Sequence, residues 1–156
     1  MISDIKETQL NEWMDIAISE AMEALAKEEV PVGAVLISDN KIIAKAHNLV
    51  ENNSLATLHA EMQVIKKATE VLGNWRLNDT VLVSTLEPCP MCAGAIRLSR
   101  IPVVVFGAFD KRMGAMHSHW DLSQDSNLGP PTTVYSGVKE DQCRKIIVDF
   151  FKQRRK

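Results

Sequence analysis

The chain has 156 residues, of which 46% are hydrophobic and 24% charged, and its formal net charge is −2. This composition excludes a disordered chain and predicts one soluble globular domain over residues 1–156. No apolar run reaches the roughly 18–20 residues of a membrane span, and the N-terminus lacks the pattern of a signal peptide. The slight acidic excess argues against a basic field over the whole molecule.

The first elements along the chain are a helix and a hairpin. Apolar residues at three- and four-residue steps predict an amphipathic helix over 8–29, which Pro31 ends. Two apolar runs, 30–37 and 42–46, flank a polar turn and predict the strands of a hairpin. Gly33 in the first strand predicts a close backbone approach at that point.

The middle of the chain alternates helices and strands. A polar loop is predicted over 48–56, followed by a helix over 58–72 that Thr57 caps. The apolar positions predicted to face the core from this helix are Met62, Ile65, Ala68 and Val71 or Leu72. A strand over 80–85, a short helix over 89–99 and an apolar strand over 101–106 follow.

The last third begins with a long loop over 107–131, for which one helical turn is predicted near 119–123. Loops of this length are often functional. A strand over 132–135 and a helix over 138–152 complete the chain. Because strands separated by helices favour parallel pairing, we expect an α/β fold, a three-layer α/β/α sandwich around a central five-stranded mixed sheet.

Three cysteines, an odd number with two in a C-x-x-C pair, argue against a disulfide framework and favour a reducing, cytoplasmic location. Charge is concentrated at the C-terminus, where Lys152, Arg154, Arg155 and Lys156 follow Asp149 without an acid. These cations fit either a solvated helix end that suits the helix dipole or a tail that contacts phosphates.

A histidine and two cysteines form the main chemical pattern. Cys89 and Cys92 are three residues apart at a predicted helix start, and His59 falls in the first turn of another helix. Thiolates and imidazole are the ligands that Zn²⁺ prefers, and three protein ligands leave a fourth position for water. Glu61 follows His59 by two residues, so it does not share a helix face with His59 and is not expected to bind the same ion. We expect it to carry protons beside the metal instead.

The segments His59-Ala60-Glu61 and Pro88-Cys89-Pro90-Met91-Cys92 together resemble the zinc-dependent cytidine and adenosine deaminase superfamily. Further stretches resemble its bacterial tRNA adenosine deaminase branch: 30–35, 74–77, 85–89, 91–96, 99–101, 106–108 and 149–155. The resemblance implies one zinc ion per chain, held by His59, Cys89 and Cys92, with Glu61 as proton shuttle.

The same resemblance implies a substrate and partners. That branch converts the wobble adenosine of a tRNA anticodon to inosine and acts as a homodimer. Asn48 matches a position that hydrogen-bonds the target nucleoside, and Asp110 matches one near the nucleic-acid backbone at the mouth of the site. Asparagine is also common in turns, and aspartate is also common where a loop starts. For each residue the substrate-binding and the purely structural interpretation therefore stay open.

Departures from the branch cluster around the expected mouth of the site. They are Leu55-Ala56, Phe109, 116–120 and 127–131. His117 and His119 are compatible with a second metal site or with solvent-exposed loop positions, and Trp120 with stacking on a base or with loop packing. The alternative functions are therefore a deaminase of free nucleobases or nucleosides and a non-catalytic, zinc-stabilised binding subunit, against which Glu61 argues.

Overall fold

The computed structural model describes residues 4–155, so Lys156 of the basic C-terminal group lies outside the described residues. The helices are α1 (Glu7–Ala26), α2 (Val50–Asn53), α3 (Ala60–Leu72), α4 (Pro90–Leu98) and α5 (Glu140–Arg154), and the strands are β1 (Gly33–Ser38), β2 (Lys41–His47), β3 (Thr80–Leu86), β4 (Val103–Ala108) and β5 (Thr133–Tyr135). Among these elements, no helix combines the length and the apolar character that crossing a membrane requires.

The strands form one five-stranded mixed sheet, as predicted, and their order is β2-β1-β3-β4-β5. β3, β4 and β5 run parallel to one another, whereas β1 is antiparallel to both of its neighbours, β2 and β3. The expected parallel pairing of two strands joined by a helix is therefore wrong for β2 and β3. β3 pairs with β1, the first strand of the hairpin, and this pairing is antiparallel. The carboxyl ends of β2, β3 and β4 consequently meet at one edge of the sheet.

Helices cover both faces of this sheet, which confirms the three-layer prediction. α1 and α5 pack on one face, where Val35 and Val83 meet Met14 and Cys143. α3 and α4 pack on the other face, where the alternate strand residues point. The predicted close approach at Gly33 is also present, since a Cβ there would lie 2.0 Å from the Ala17 carbonyl oxygen of α1.

Several predicted boundaries differ from the structure. α3 begins at Ala60 with His59 as its N-cap residue, so Thr57 does not cap it. α4 begins at Pro90, which occupies the first helical turn without an unpaired N–H, and Cys89 precedes the helix. The predicted loop 48–56 contains the short helix α2, whose amides are held by a carboxylate from a distant part of the chain.

The predicted buried face of α3 is wrong in part. Its buried residues are Ala60, Glu61, Val64 and Ala68, whereas Val71 and Leu72 are exposed. The buried face of α3 is rotated from the predicted one, toward Glu61 and Val64. This shift places a carboxylate inside the protein and leaves two large apolar side chains on the surface.

The long loop between β4 and β5 has a short 3₁₀ helix at Ser126–Leu128, and not a helical turn at 119–123, where Met116 and Asp121 pair as an isolated bridge. Its second half is held from α4. The buried Arg97 guanidinium donates hydrogen bonds to four backbone carbonyls, those of Leu122, Asp125, Gly129 and Pro130. An anchor of this kind is not visible in local sequence.

Candidate active site

Three side chains converge where the N-termini of α3 and α4 meet, beyond the carboxyl end of β3. His59 is the N-cap residue of α3, Cys89 is that of α4, and Cys92 lies in the first turn of α4. His59 Nδ1 is 3.6 Å from Cys89 Sγ and 3.5 Å from Cys92 Sγ. Within residues 4–155 these are the residues that form a possible metal-binding group, with their ligand atoms within 4.8 Å of one another.

The geometry of this cluster fits zinc. Typical bond lengths of about 2.3 Å for Zn–S and 2.0–2.1 Å for Zn–N place neighbouring nitrogen and sulfur ligands of a tetrahedral site about 3.5 Å apart. The two nitrogen–sulfur distances match this spacing. Cys143 is buried against the opposite face of the sheet, as predicted for a core residue, so the group has the three protein ligands of a catalytic site.

The protonation of the cluster also suits a metal. A hydrogen bond from Cys92 and the neighbouring His59 lower the pKa of Cys89 to about 4, although burial opposes this shift. The hydrogen bond to Cys89 and burial both raise the pKa of Cys92. Without a metal the two thiols therefore share one proton, and binding a cation that needs both thiolates releases it.

Glu61 lies next to the cluster but is not a member of it. Its side chain is in the first turn of α3 and is only 3% exposed. Burial raises the pKa of this carboxyl, and the nearby His59 opposes the shift. A buried carboxyl with a raised pKa holds a proton at higher pH than an exposed one, which fits the role of proton carrier expected from the sequence.

A cavity of about 350 Å³ opens onto these residues. Its lining includes His59, Glu61 and Cys89 together with Asn48 and Asp110, so the structure brings all but one of the predicted site residues to one cavity. The remaining residue, Cys92, is buried just behind it. Asn48 is 7% exposed, which is unusual for a plain turn asparagine.

Asp110 also has a local structural role, because its carboxylate accepts hydrogen bonds from the amides of Arg112 and Met113. Its loop-start and site-mouth interpretations are therefore compatible.

The loop residues His117, His119 and Trp120 do not belong to the lining of this cavity. The His117 ring packs edge-on against Phe109 at 5.3 Å between centroids, and the His119 ring lies 4.1 Å from that of Trp120. All three are exposed, and among the described residues no group of three metal-ligating side chains includes either histidine. Solvent-exposed loop histidines are the better interpretation.

Two buried residues beside the cavity were missed by the sequence reasoning. Glu29 is 0% exposed and Glu87, which itself lines the cavity, is 2% exposed; they accept hydrogen bonds from the amides of two other lining residues, Glu51 and Asp110. The available signal was their position, since each carboxylate stands at a junction between a loop and an apolar strand. Local sequence does not distinguish such a residue from an exposed one.

Residues 7–108, which contain the whole metal-binding group, match the family model described as the cytidine and deoxycytidylate deaminase zinc-binding region. The chain belongs to this family. A tRNA-specific adenosine deaminase of Bacillus subtilis is 48% identical over 149 residues, which are 96% of this chain and 92% of that protein. The expected resemblance, the α/β fold and zinc as the metal are thereby confirmed.

Solved structures give two further similarities. One comes from studies of A-to-I editing by tRNA:A34 deaminases at the wobble position of transfer RNA; it has a TM-score of 0.83 and 39% identity and covers 86% of this chain and 98% of that one. The other is a guanine deaminase from Bacillus subtilis, with a TM-score of 0.61 and 39% identity over 63% of each chain. The tRNA deaminase structure is matched more completely.

Proposed function

We propose that the protein is a zinc-dependent hydrolytic deaminase that converts adenosine to inosine at the wobble position of a tRNA anticodon. The observation that carries this proposal is the three-residue metal group with a buried carboxyl, Glu61, beside it in one cavity. The similarity to tRNA-specific adenosine deaminases over 92–96% of the chain supports the substrate. A non-catalytic zinc subunit is disfavoured, because a structural site needs four protein ligands.

In this proposal His59, Cys89 and Cys92 hold the zinc ion. Bound there, zinc supplies a Lewis acid that lowers the pKa of water and makes it a nucleophile at neutral pH. Cys89 and Cys92 stand at and within the first turn of α4, where free amides and the helix dipole favour thiolates. His59 completes the group from a second helix start.

Glu61 moves the protons of the reaction. Its carboxylate takes a proton from the attacking water and delivers it to the ring nitrogen N1 of adenine as a C6–O bond forms. It then transfers the second proton of that water to the exocyclic amine, and the C6–N bond breaks to release ammonia. One water is consumed for each inosine formed, and burial of Glu61 keeps these transfers away from bulk solvent.

The cavity accepts one base that has left its stack. A volume of about 350 Å³ lies at the lower end of the range for small-molecule sites and is too small for stacked bases. Asn48 hydrogen-bonds the nucleoside from the loop after β2, and Asp110 contacts the nucleic-acid backbone from the loop after β4. Apolar residues such as Val30, Val32 and Leu86 surround the base.

Basic residues near the cavity suit an RNA partner. Arg112 is exposed and lines the mouth of the cavity, next to the exposed Lys111. At the end of α5, Arg154 docks the helix by donating to the Glu28 carbonyl at 2.5 Å. Because Glu28 adjoins the buried Glu29 beside the cavity, this docking supports the phosphate-contacting interpretation of the exposed cations at the helix end.

We further propose a homodimer located in the cytoplasm. Four large apolar side chains are exposed at one end of the α3–α4 layer: Val71, Leu72, Trp75 and Leu98. The Leu77 amide donates to the Ser99 carbonyl at 2.8 Å, which ties the segment after α3 to the end of α4. Exposed large apolar side chains near the ends of two neighbouring helices are available to a partner copy.

Three free cysteines suit a reducing compartment, which supports the cytoplasmic location.

Deamination of free nucleobases is the second candidate. The similarity to a guanine deaminase favours it, as do the departures at residues 109–131. The two functions separate when the zinc-loaded protein is offered an anticodon stem-loop with adenosine at the wobble position, and in parallel guanine, cytosine and free adenosine. We expect ammonia release from the stem-loop. Release only from a small molecule would contradict the tRNA assignment.

A further inference from the structure

Two buried carboxylates border the cavity without taking part in the metal group. Glu29 is 0% exposed and Glu87 is 2% exposed. Among residues 4–155, none of the ion pairs involves either of them. A buried charge without an ionic partner is costly unless hydrogen bonds replace its lost hydration. Both carboxylates are placed where a loop supplies those hydrogen bonds.

Glu87 holds the loop that follows β4. Its Oε1 accepts from the Asp110 amide at 3.0 Å and the Ser118 hydroxyl at 2.5 Å, and its Oε2 accepts from the amides of Met116 at 3.3 Å and Ser118 at 2.8 Å. The loop closes tightly over the carboxylate, since a Cβ on Gly114 would lie 2.3 Å from Glu87 Cδ. One side chain therefore fixes residues 110–118.

Glu29 holds the loop that follows β2 in the same way. Its carboxylate accepts from the Glu51 amide at 3.1 Å and from both the amide and the side-chain nitrogen of Asn52 at 2.6 Å. The Asn48 side-chain nitrogen approaches it at 3.5 Å. Glu29 thus anchors α2 and orients the amide of Asn48 within the cavity.

These two loops are walls on either side of the metal group. In the sheet order, β2 and β4 flank β1 and β3, and the carboxyl ends of β2, β3 and β4 lie at the same edge. Asn48 and Glu51 line the cavity from the first loop, and Asp110 and Met113 line it from the second, with Cys89 following β3 between them. Each of the two carboxylates binds amides of one wall.

We propose that Glu29 and Glu87 are positioning residues that fix the two walls of the cavity and thereby set the affinity for the base. They act through the loops and not through the metal or the proton carrier. For the identity of the substrate, the inference rests on the proposed function.

Glutamine variants test this inference. Glu29→Gln and Glu87→Gln keep the size of each side chain but replace one carboxylate oxygen by an NH₂ group. This group cannot accept the hydrogen bonds that the loop N–H groups donate. We expect each variant to raise KM for the anticodon stem-loop about tenfold, the equivalent of losing one hydrogen bond to a charged group, with kcat within about threefold. Zinc content stays at one ion per chain.

Amide hydrogen exchange supplies a readout that needs no substrate. Exchange becomes faster within residues 110–118 in Glu87→Gln and at residues 51–52 in Glu29→Gln, and nowhere else. Glu70→Gln is the matched control, because this glutamate pairs with Lys66 on the solvent side of α3; its KM and exchange stay at wild-type values.

Faster local exchange with an unchanged KM would overturn the inference, as would a fall in kcat at constant KM or faster exchange throughout the protein. If a glutamine variant does not fold, Ser118→Ala and Asn52→Ala each remove one side-chain donor, and an unchanged KM in both would also overturn it. A wild-type protein inactive on the stem-loop contradicts the proposed function instead. In that case the exchange pattern still tests whether Glu29 and Glu87 fix the two walls, and KM is measured for the small substrate that the protein deaminates.

Discussion

Replacing Glu61 by glutamine removes the proton carrier from the cavity and leaves its shape almost unchanged. Transfer by a positioned general acid or base contributes about 10²–10⁴ to a rate, and Glu61 acts both on the attacking water and on the leaving amine. We therefore expect kcat to fall about 10⁴-fold, which corresponds to about 5.4 kcal/mol of transition-state stabilisation. The metal group is complete without Glu61, so zinc binding is expected to persist.

The same substitution is expected to stabilise the metal-free protein. Burial of Glu61, which is 3% exposed, raises its pKa above that of the unfolded chain. The folded state then binds more protons than the unfolded state between the two pKa values, and stability falls as the pH rises through this window. Glutamine has no charge to bury, so the variant has the higher Tm at neutral and alkaline pH, and the difference shrinks in acid.

Single-turnover deamination of the stem-loop measures the fall in rate, and elemental analysis measures the zinc content. Thermal unfolding of the chelator-treated protein measures the change in Tm. Loss of activity with gain of stability is the combination expected for a functional group in an unfavourable environment. Residual activity above about 1% of wild type, a fall smaller than the lower limit of about 10²-fold, would refute the proton-carrier role. A lower Tm in the variant would refute the burial argument.

Further predictions concern the metal group, the sheet packing and the basic tail. Cys89→Ala is expected to lose zinc and stability together, whereas Cys143→Ala on the opposite face keeps one zinc per chain by elemental analysis. Gly33→Ala is expected to cost about 3 kcal/mol, or roughly 6–12 °C in Tm, because its Cβ would lie 2.0 Å from the Ala17 carbonyl; an unchanged Tm would contradict the packing. Arg155→Ala is expected to weaken stem-loop binding and reduce the salt dependence by about one counterion, and an identical salt slope would favour a plain solvated helix end.

Sequence reasoning succeeded where a feature depends on neighbouring residues. The spacing of Cys89 and Cys92, together with His59 upstream, predicted a group that the structure brings within 4.8 Å. Gly33 predicted a close backbone approach because a glycine inside a strand often marks a point where another backbone comes close. The alternation of helices and strands along the chain predicted the three layers, because each helix and strand is visible in its own local pattern.

It failed where distant residues decide local structure. The segment 48–56 forms α2 because Glu29, some 20 residues earlier, binds the amides of Glu51 and Asn52. The long loop is held by Glu87 and Arg97 from outside its own sequence. Likewise β3 pairs with β1, a choice that local periodicity does not encode.

Isotope labelling of the wobble base tests the central claim most directly. The zinc-loaded protein is incubated with an anticodon stem-loop in H₂¹⁸O, and the nucleosides of the digested RNA are analysed by mass spectrometry. Hydrolytic deamination by this site predicts inosine at the wobble position with one ¹⁸O atom in its base, and no such product from Glu61→Gln. Unchanged adenosine at that position, or inosine without the label, would contradict the proposed function.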